Sequence, residues 1–131
     1  MLSLKTFHKF STKAVHSPIC IVGAGAGGIN ILGHLSRQKG FMPHDVRIFD
    51  PSHVHHYQPS WTMIGGGLVS HESYSKETSQ LITRHVPFEL SKVTKIEPEN
   101  NKLITSEGKE FTYDHLILST GIRPDFSQIP G

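Results

Sequence analysis

Three glycines and one aspartate have the types and spacing of a dinucleotide-binding site. Gly23, Gly25 and Gly28 form a G-x-G-x-x-G pattern between an apolar run and an amphipathic one. In such a pattern the first glycine makes a tight turn, the second leaves room for a pyrophosphate, and the third lets a helix pack closely on a strand. Asp50 follows about 20 positions later, where a carboxylate accepts hydrogen bonds from ribose hydroxyls and repels a 2′-phosphate. Together the four residues predict a dinucleotide site that disfavours NADP.

The residues around the glycines predict the elements that position them. Residues 19–22 are apolar throughout, which is typical of a strand buried on both faces of a parallel sheet. A stripe of isoleucine and leucine then predicts a helix, with Arg37 and Lys39 expected in its last turn. Because a second, alternating run follows the helix, residues 19–50 are predicted to form a β-α-β unit.

The remainder of the chain predicts mostly short strands. Residues 51–75 are rich in His, Pro and Gly and predict a long functional loop, whose apolar content argues against disorder. Residues 91–113 alternate apolar and polar side chains between turn-forming pairs, which predicts an antiparallel meander. Residues 114–121 predict a buried strand that ends in Ser-Thr-Gly. These patterns predict one α/β, Rossmann-like domain with a parallel sheet and an antiparallel β-meander, which is expected to be incomplete because no element closes it.

Composition excludes several classes of protein. The 131 residues provide one core of ordinary domain size. The net charge is +2 and the basic residues are scattered, which argues against a nucleic-acid partner. Cys20 is the single cysteine, so no intrachain disulfide can form. No stretch approaches the ~20 apolar residues that a bilayer span requires.

The first 17 residues differ in composition from the remainder. They contain Lys5, Lys9 and Lys13, several hydroxyl side chains and no acidic residue. This composition predicts a mitochondrial targeting segment, followed by a domain over residues 18–131. A disordered basic tail without an address is the alternative, because the arginine common in such segments is missing.

Two further segments carry a family resemblance. The sequence FTYDHLILSTGIRPDF, residues 111–126, resembles the second fingerprint of FAD-dependent reductases with two dinucleotide-binding domains. Three short motifs are similar to the signature of the mitochondrial-type sulfide:quinone oxidoreductase family: Asp50-Pro51, Tyr57-Gln58-Pro59 and Trp61-Thr62. The resemblance implies the N-terminal part of an FAD-binding domain. The contacts that it adds are Ala26 and Gly27 at the pyrophosphate, Thr120 and Gly121 beside the flavin nucleotide, and Gln58 and Val93 elsewhere on FAD.

The activity that the resemblance implies uses groups that this chain does not contain. The family enzyme oxidises sulfide with a pair of cysteines and passes two electrons through FAD to ubiquinone. Cys20 lies alone inside the first predicted strand, so we interpret it as a small buried hydrophobe and assign no catalytic residue. The family's second dinucleotide domain and its C-terminal contact with the inner membrane also lie outside these residues. A related NADH:quinone-type or apoptosis-inducing-factor-like flavoprotein, and a non-enzymatic truncated product, remain as alternatives.

Three histidines and a tryptophan in the predicted loop have more than one interpretation. His53, His55 and His56 are close in sequence, but neighbours on an extended segment point to opposite faces and do not converge as metal ligands must. The sequence therefore predicts no metal site. Trp61 is interpreted either as a contact with the flavin or as a packing residue within its own loop.

Overall fold

Ten strands and three α-helices lie within residues 13–122 and 125–129, the part of the chain that the computed structural model describes. The strands are β1 (Val15–His16), β2 (Ile19–Val22), β3 (Val46–Phe49), β4 (Val54–His56), β5 (Ser75–Glu77), β6 (Phe88–Glu89), β7 (Val93–Glu97), β8 (Lys102–Thr105), β9 (Glu110–Thr112) and β10 (His115–Leu118). The helices are α1 (Ala26–Leu35), α2 (Trp61–Gly65) and α3 (Thr78–Leu81).

A four-stranded parallel sheet forms the centre of the fold. Its strand order is β10-β2-β3-β6, and every neighbouring pair is parallel. The chain passes from β2 through α1 to β3 on one side, whereas β10 pairs with β2 on the other side. The carboxyl end of β2 therefore lies where the strand order reverses, which is where open α/β sheets bind ligands.

A second sheet packs against the parallel one. Strands β7, β8 and β9 form an antiparallel meander, and β1 pairs with β9 in parallel. The two sheets share an apolar core in which the rings of Phe49 and Phe111 meet edge to face, with their centroids 5.0 Å apart. Strands β4 and β5 form a separate antiparallel hairpin.

Alternation along β2 divides its side chains between two cores. Cys20 and Val22 pack with Leu103 in the core that β2 shares with the meander. Ile21 faces the other way and packs with Leu32 in the core beneath α1. Because successive strand residues point to opposite faces, a strand buried on both sides must be apolar throughout. This explains the uninterrupted run Ile-Cys-Ile-Val.

The structure confirms the predicted α/β, Rossmann-like class, with its parallel sheet and antiparallel β-meander. The predicted β-α-β unit is present as β2, α1 and β3. Two details of the prediction were wrong. Helix α1 ends at Leu35, so Arg37 and Lys39 lie beyond its last turn, which contains His34 instead. Strand β10 is not fully buried, because it is at an edge of the sheet and Leu118 is 60% exposed.

Candidate dinucleotide-binding site

A cavity of about 840 Å³ opens at the carboxyl edge of the parallel sheet. The residues that follow β2, β3 and β10 contribute to its wall, because the ends of parallel strands meet at one edge. Most of the contact residues predicted from the sequence line this cavity. They are Gly25, Ala26, Gly27, Asp50, Gln58, Thr120 and Gly121.

The three motif glycines are required for different reasons. Gly23 has a φ of +104°, and a Cβ added there would lie 2.4 Å from the Ser119 carbonyl oxygen. A Cβ on Gly28 would lie 1.9 Å from the Gly23 carbonyl oxygen, so these two glycines allow close packing beneath the loop. Around Gly25, in contrast, no atom of the described residues lies within 4 Å of the position of a Cβ. The space at Gly25 is a cradle that a side chain would fill.

The first turn of α1 leaves backbone N–H groups available at this cradle. Gly25 is the N-cap residue, and the first turn of the helix contains no acidic residue. In the part of the chain that the structure describes, no side chain caps this helix. An α-helix has no intrahelical acceptors for its first N–H groups, and its dipole adds partial positive charge there. Within the described residues, no lysine or arginine lines the cavity. Binding of an anion in the cavity would therefore depend on the backbone N–H groups of this helix.

Asp50 connects the end of β3 to the glycine loop. Its Oδ2 accepts a hydrogen bond from the Ala24 N–H at 2.7 Å, and its Oδ1 accepts one from the Ser52 N–H at 2.7 Å. Each carboxylate oxygen has a second lone pair that a ribose hydroxyl could use. Sequence reasoning identified Asp50 as a ligand contact but did not identify its role in holding the loop.

Ser119 connects the end of β10 to the same loop. Its Oγ donates to the carbonyl oxygens of Val22 and Gly23, at 3.2 and 3.0 Å. Its N–H donates to the Val22 carbonyl at 2.8 Å. These bonds hold the two residues that follow, Thr120 and Gly121, at the wall of the cavity.

The segment predicted as a long loop contains regular structure. Strand β4 lies within it and pairs with β5, which begins at its last residue, and α2 follows β4. The buried Thr78 anchors the hairpin, because its N–H donates to the His53 carbonyl at 2.8 Å and its Oγ1 donates to the Ser52 carbonyl at 3.1 Å. The hairpin is thereby held beside the end of β3.

Two adjacent histidines of β4 make different contacts. The Nδ1 of His55 lies 3.2 Å from the Ala24 carbonyl oxygen, so His55 reaches the glycine loop. The Nδ1 of His56 lies 2.9 Å from the Ser75 Oγ on β5. Sequence reasoning did not identify His55 as part of the site; its position in the segment after Asp50 was the available signal.

The outer wall of the cavity contains aromatic and amide side chains. Tyr57, Gln58 and Trp61 line it, and Trp61 is 53% exposed. Trp61 is therefore not fully buried within its own loop, and part of it faces the cavity. The turn that carries Gln58 is held by Ser60, whose buried Oγ donates to the Tyr57 carbonyl at 2.6 Å.

Val93 lies apart from the other predicted contact residues. It lines a second cavity of about 350 Å³, together with Val22 and Leu118. Thr120 lines both cavities and is the point where they approach each other. The structure therefore does not bring Val93 into the main cavity.

Cys20 is confirmed as a buried core residue, with an exposed fraction of 0%. Burial raises the pKa of its thiol to about 12, although the Arg47 cation acts in the opposite direction.

In the part of the chain that the structure describes, no three His, Cys, Asp or Glu side chains cluster as a metal site would require. Within the same residues, no helix combines the length and apolar character needed to cross a membrane.

The fold defines a class of protein, the Rossmann-like α/β domains, in which ligands bind at the switch point of a parallel sheet. Residues 17–131 match the family model described as pyridine nucleotide-disulphide oxidoreductase. The chain belongs to this family of oxidoreductases.

Individual proteins similar to this chain include several sulfide:quinone oxidoreductases. The mitochondrial sulfide:quinone oxidoreductase of Dictyostelium discoideum is 38% identical over 116 residues, which cover 86% of this chain and 25% of the relative. The Mus musculus protein of the same name is 34% identical, over 88% of this chain and 25% of the relative. The X-ray structure of the Aquifex aeolicus sulfide:quinone oxidoreductase shares the fold, with a TM-score of 0.65 and 22% identity over 86% of this chain and 26% of that chain. This chain thus spans about a quarter of the length of the curated relatives it matches.

Proposed function

We propose that this chain binds FAD in the main cavity and is the FAD-binding portion of a sulfide:quinone oxidoreductase-like enzyme. The observation that carries the proposal is the open space at Gly25, which lies directly before an uncapped helix N-terminus. A pyrophosphate needs close approach to the backbone and several N–H donors, and this corner provides both. The proposal assigns the pyrophosphate to Gly25, Ala26 and Gly27 and the ribose to Asp50.

The remaining parts of the cavity support a ligand as large as FAD. A volume of about 840 Å³ lies in the range of cofactor sites, roughly 300–1,000 Å³. Gln58 and Thr120 lie at its wall, and Gly121 follows Thr120 with a φ of +70°. We assign Thr120 and Gly121 to the flavin nucleotide and Gln58 to another part of FAD. Val93 lies on the second cavity, which a part of FAD would reach only by extending past Thr120.

The proposed reaction of the enzyme to which this FAD-binding portion belongs is a two-electron transfer from sulfide to ubiquinone. FAD supplies this redox chemistry when bound, whereas the protein supplies binding and orientation. In this proposal the residues of this chain hold the pyrophosphate, the ribose and the flavin nucleotide. Cys20 has no part in sulfur chemistry, because it is buried in the core that β2 shares with the meander.

Binding of added FAD by residues 1–131 tests this proposal. With FAD in excess, we expect the purified, folded chain to bind the flavin, measured as a shift of its absorption spectrum; tight retention is not expected, because in the family segments outside these residues also enclose the cofactor. ADP-ribose should compete for the site, whereas its 2′-phosphorylated form should not, because Asp50 would repel the added phosphate. A folded chain that shows no shift of the flavin spectrum would contradict binding of FAD by this chain alone.

Mitochondrial localisation is part of the same proposal. It is supported by the names of the relatives and by the basic, acid-free composition of residues 1–17. A fluorescent reporter fused after residue 17 should accumulate in mitochondria. A reporter that stays in the cytosol would contradict targeting by this segment.

A further inference from the structure

We infer that His55 is a positioning residue for the pyrophosphate loop: its imidazole holds the Ala24 carbonyl and thereby sets the direction of the Gly25 N–H. The function of this contact rests on the proposed binding of FAD. The contact itself is a property of the chain without ligand, so the two can be tested separately.

Both polar groups of the Ala24 backbone are held by residues outside the loop. The N–H donates to the Asp50 Oδ2 at 2.7 Å, and the carbonyl oxygen lies 3.2 Å from the His55 Nδ1. A carbonyl oxygen can only accept, so the Nδ1 must carry the hydrogen. Ala24 is 2% exposed, which keeps water from replacing either partner. The loop is therefore clamped between the end of β3 and strand β4.

The clamp acts on Gly25 through the geometry of the peptide bond. The Ala24 carbonyl and the Gly25 N–H belong to one planar trans peptide unit and point in opposite directions. A bond that fixes the carbonyl therefore fixes the direction of the N–H. Glycine has more backbone freedom than other residues, so the peptide beside Gly25 needs such a constraint from outside.

The hairpin gives His55 a fixed position from which to act. His55 pairs with Lys76 in the register of β4 and β5. Thr78 donates two hydrogen bonds to the backbone of residues 52 and 53, which precede β4. His55 also lines the main cavity, so it lies at the site whose loop it holds.

Two amide substitutions separate this role from a general effect on folding. His55→Asn places its amide nitrogen near the position of the imidazole Nδ1, whereas His55→Gln places it near that of Nε2. In the chain of residues 1–131 we expect His55→Gln to raise the Kd for FAD about tenfold. We also expect it to speed hydrogen exchange of the Ala24 amide about tenfold, because release of the Ala24 carbonyl loosens the loop and lets the Ala24 N–H leave Asp50 more often. His55→Asn should keep both quantities within about threefold of the wild type.

Exchange of the Ala24 amide and the Kd for FAD test different parts of this inference. Equal Ala24 exchange in both variants and the wild type would overturn the positioning role, whether or not FAD binds. Faster exchange in His55→Gln without a weaker Kd would overturn its relevance to the cofactor. Absence of FAD binding by the wild type would refute the proposed function, while exchange in the ligand-free chain would still decide the contact. If His55→Gln does not fold, His55→Leu provides the same comparison with His55→Asn.

Discussion

At the residue scale, the glycines of the loop have two roles: Gly23 and Gly28 allow close packing, whereas Gly25 leaves space for a ligand. A Cβ on Gly28 would meet the Gly23 carbonyl oxygen at 1.9 Å, whereas a Cβ on Gly25 would meet open space. We expect Gly28→Ala to lower the free energy of unfolding by about 3 kcal/mol, because backbone cannot move aside as a flexible side chain can. Gly25→Ala should change it by less than about 0.5 kcal/mol. Urea denaturation of the ligand-free chains measures both, and equal losses would contradict this division.

Asp50 provides a second prediction at this scale. Asp50→Ala removes the acceptor of the Ala24 N–H and should cost about 1–3 kcal/mol of stability before any ligand is added. Asp50→Asn retains one side-chain oxygen and should lose less. Thermal unfolding of the two variants checks the order. Equal stability of the alanine and asparagine variants would show that the carboxylate does not hold the loop.

Cys20 gives a chemical prediction. Because the thiolate is the reactive form and burial raises the pKa of this thiol to about 12, iodoacetamide at pH 8 should modify Cys20 very slowly in the folded chain. In urea the thiol regains its ordinary pKa and should react at the rate of a free cysteine. Mass spectrometry follows the modification over time. Fast modification of the folded chain would contradict the assigned core position.

At the element scale, the sequence predicted the helices and strands whose burial is visible as a local pattern of apolar residues. The glycine spacing and the apolar runs predicted β2, α1 and β3, because their sequence periods directly reflect burial. The pairing of Val15 with Phe111 could not be predicted, since strands of two residues carry no period and pair across the whole chain. The hydrogen bonds of Ser119 and His55 to the glycine loop could not be predicted either, because both depend on how segments distant in sequence approach each other.

The β7–β8 pair gives a pH-dependent prediction. Lys95 and Lys102 flank Glu97 and hold the pKa of its carboxyl at about 2, with Lys102 Nζ 3.0 Å from Oε2. A lowered pKa in the folded chain favours folding above the unfolded value of 4.5, and this contribution is lost as the pH falls from 4.5 towards 2. Glu97→Gln should therefore lose less Tm than the wild type between pH 5 and pH 3. Equal losses would show that Glu97 does not contribute to acid sensitivity.

At the scale of the whole molecule, two sheets, a helix and a hairpin place one cavity at the switch point of the parallel sheet. Strand β2 ends beneath it, β3 provides Asp50, β10 leads to Thr120, and the hairpin provides His55. The family model covers residues 17–131, which include all of these elements after β1. This arrangement supports the proposal that the chain binds FAD in the main cavity.

Titration of residues 1–131 with FAD tests this central claim most directly. Flavin fluorescence should show saturable binding by the wild type. Gly25→Ala, whose fold and stability we expect to match the wild type, should bind at least about tenfold more weakly, because its methyl group fills the proposed pyrophosphate cradle. Equal affinity in the two folded chains, or no binding by the wild type, would contradict the placement of the cofactor at this loop.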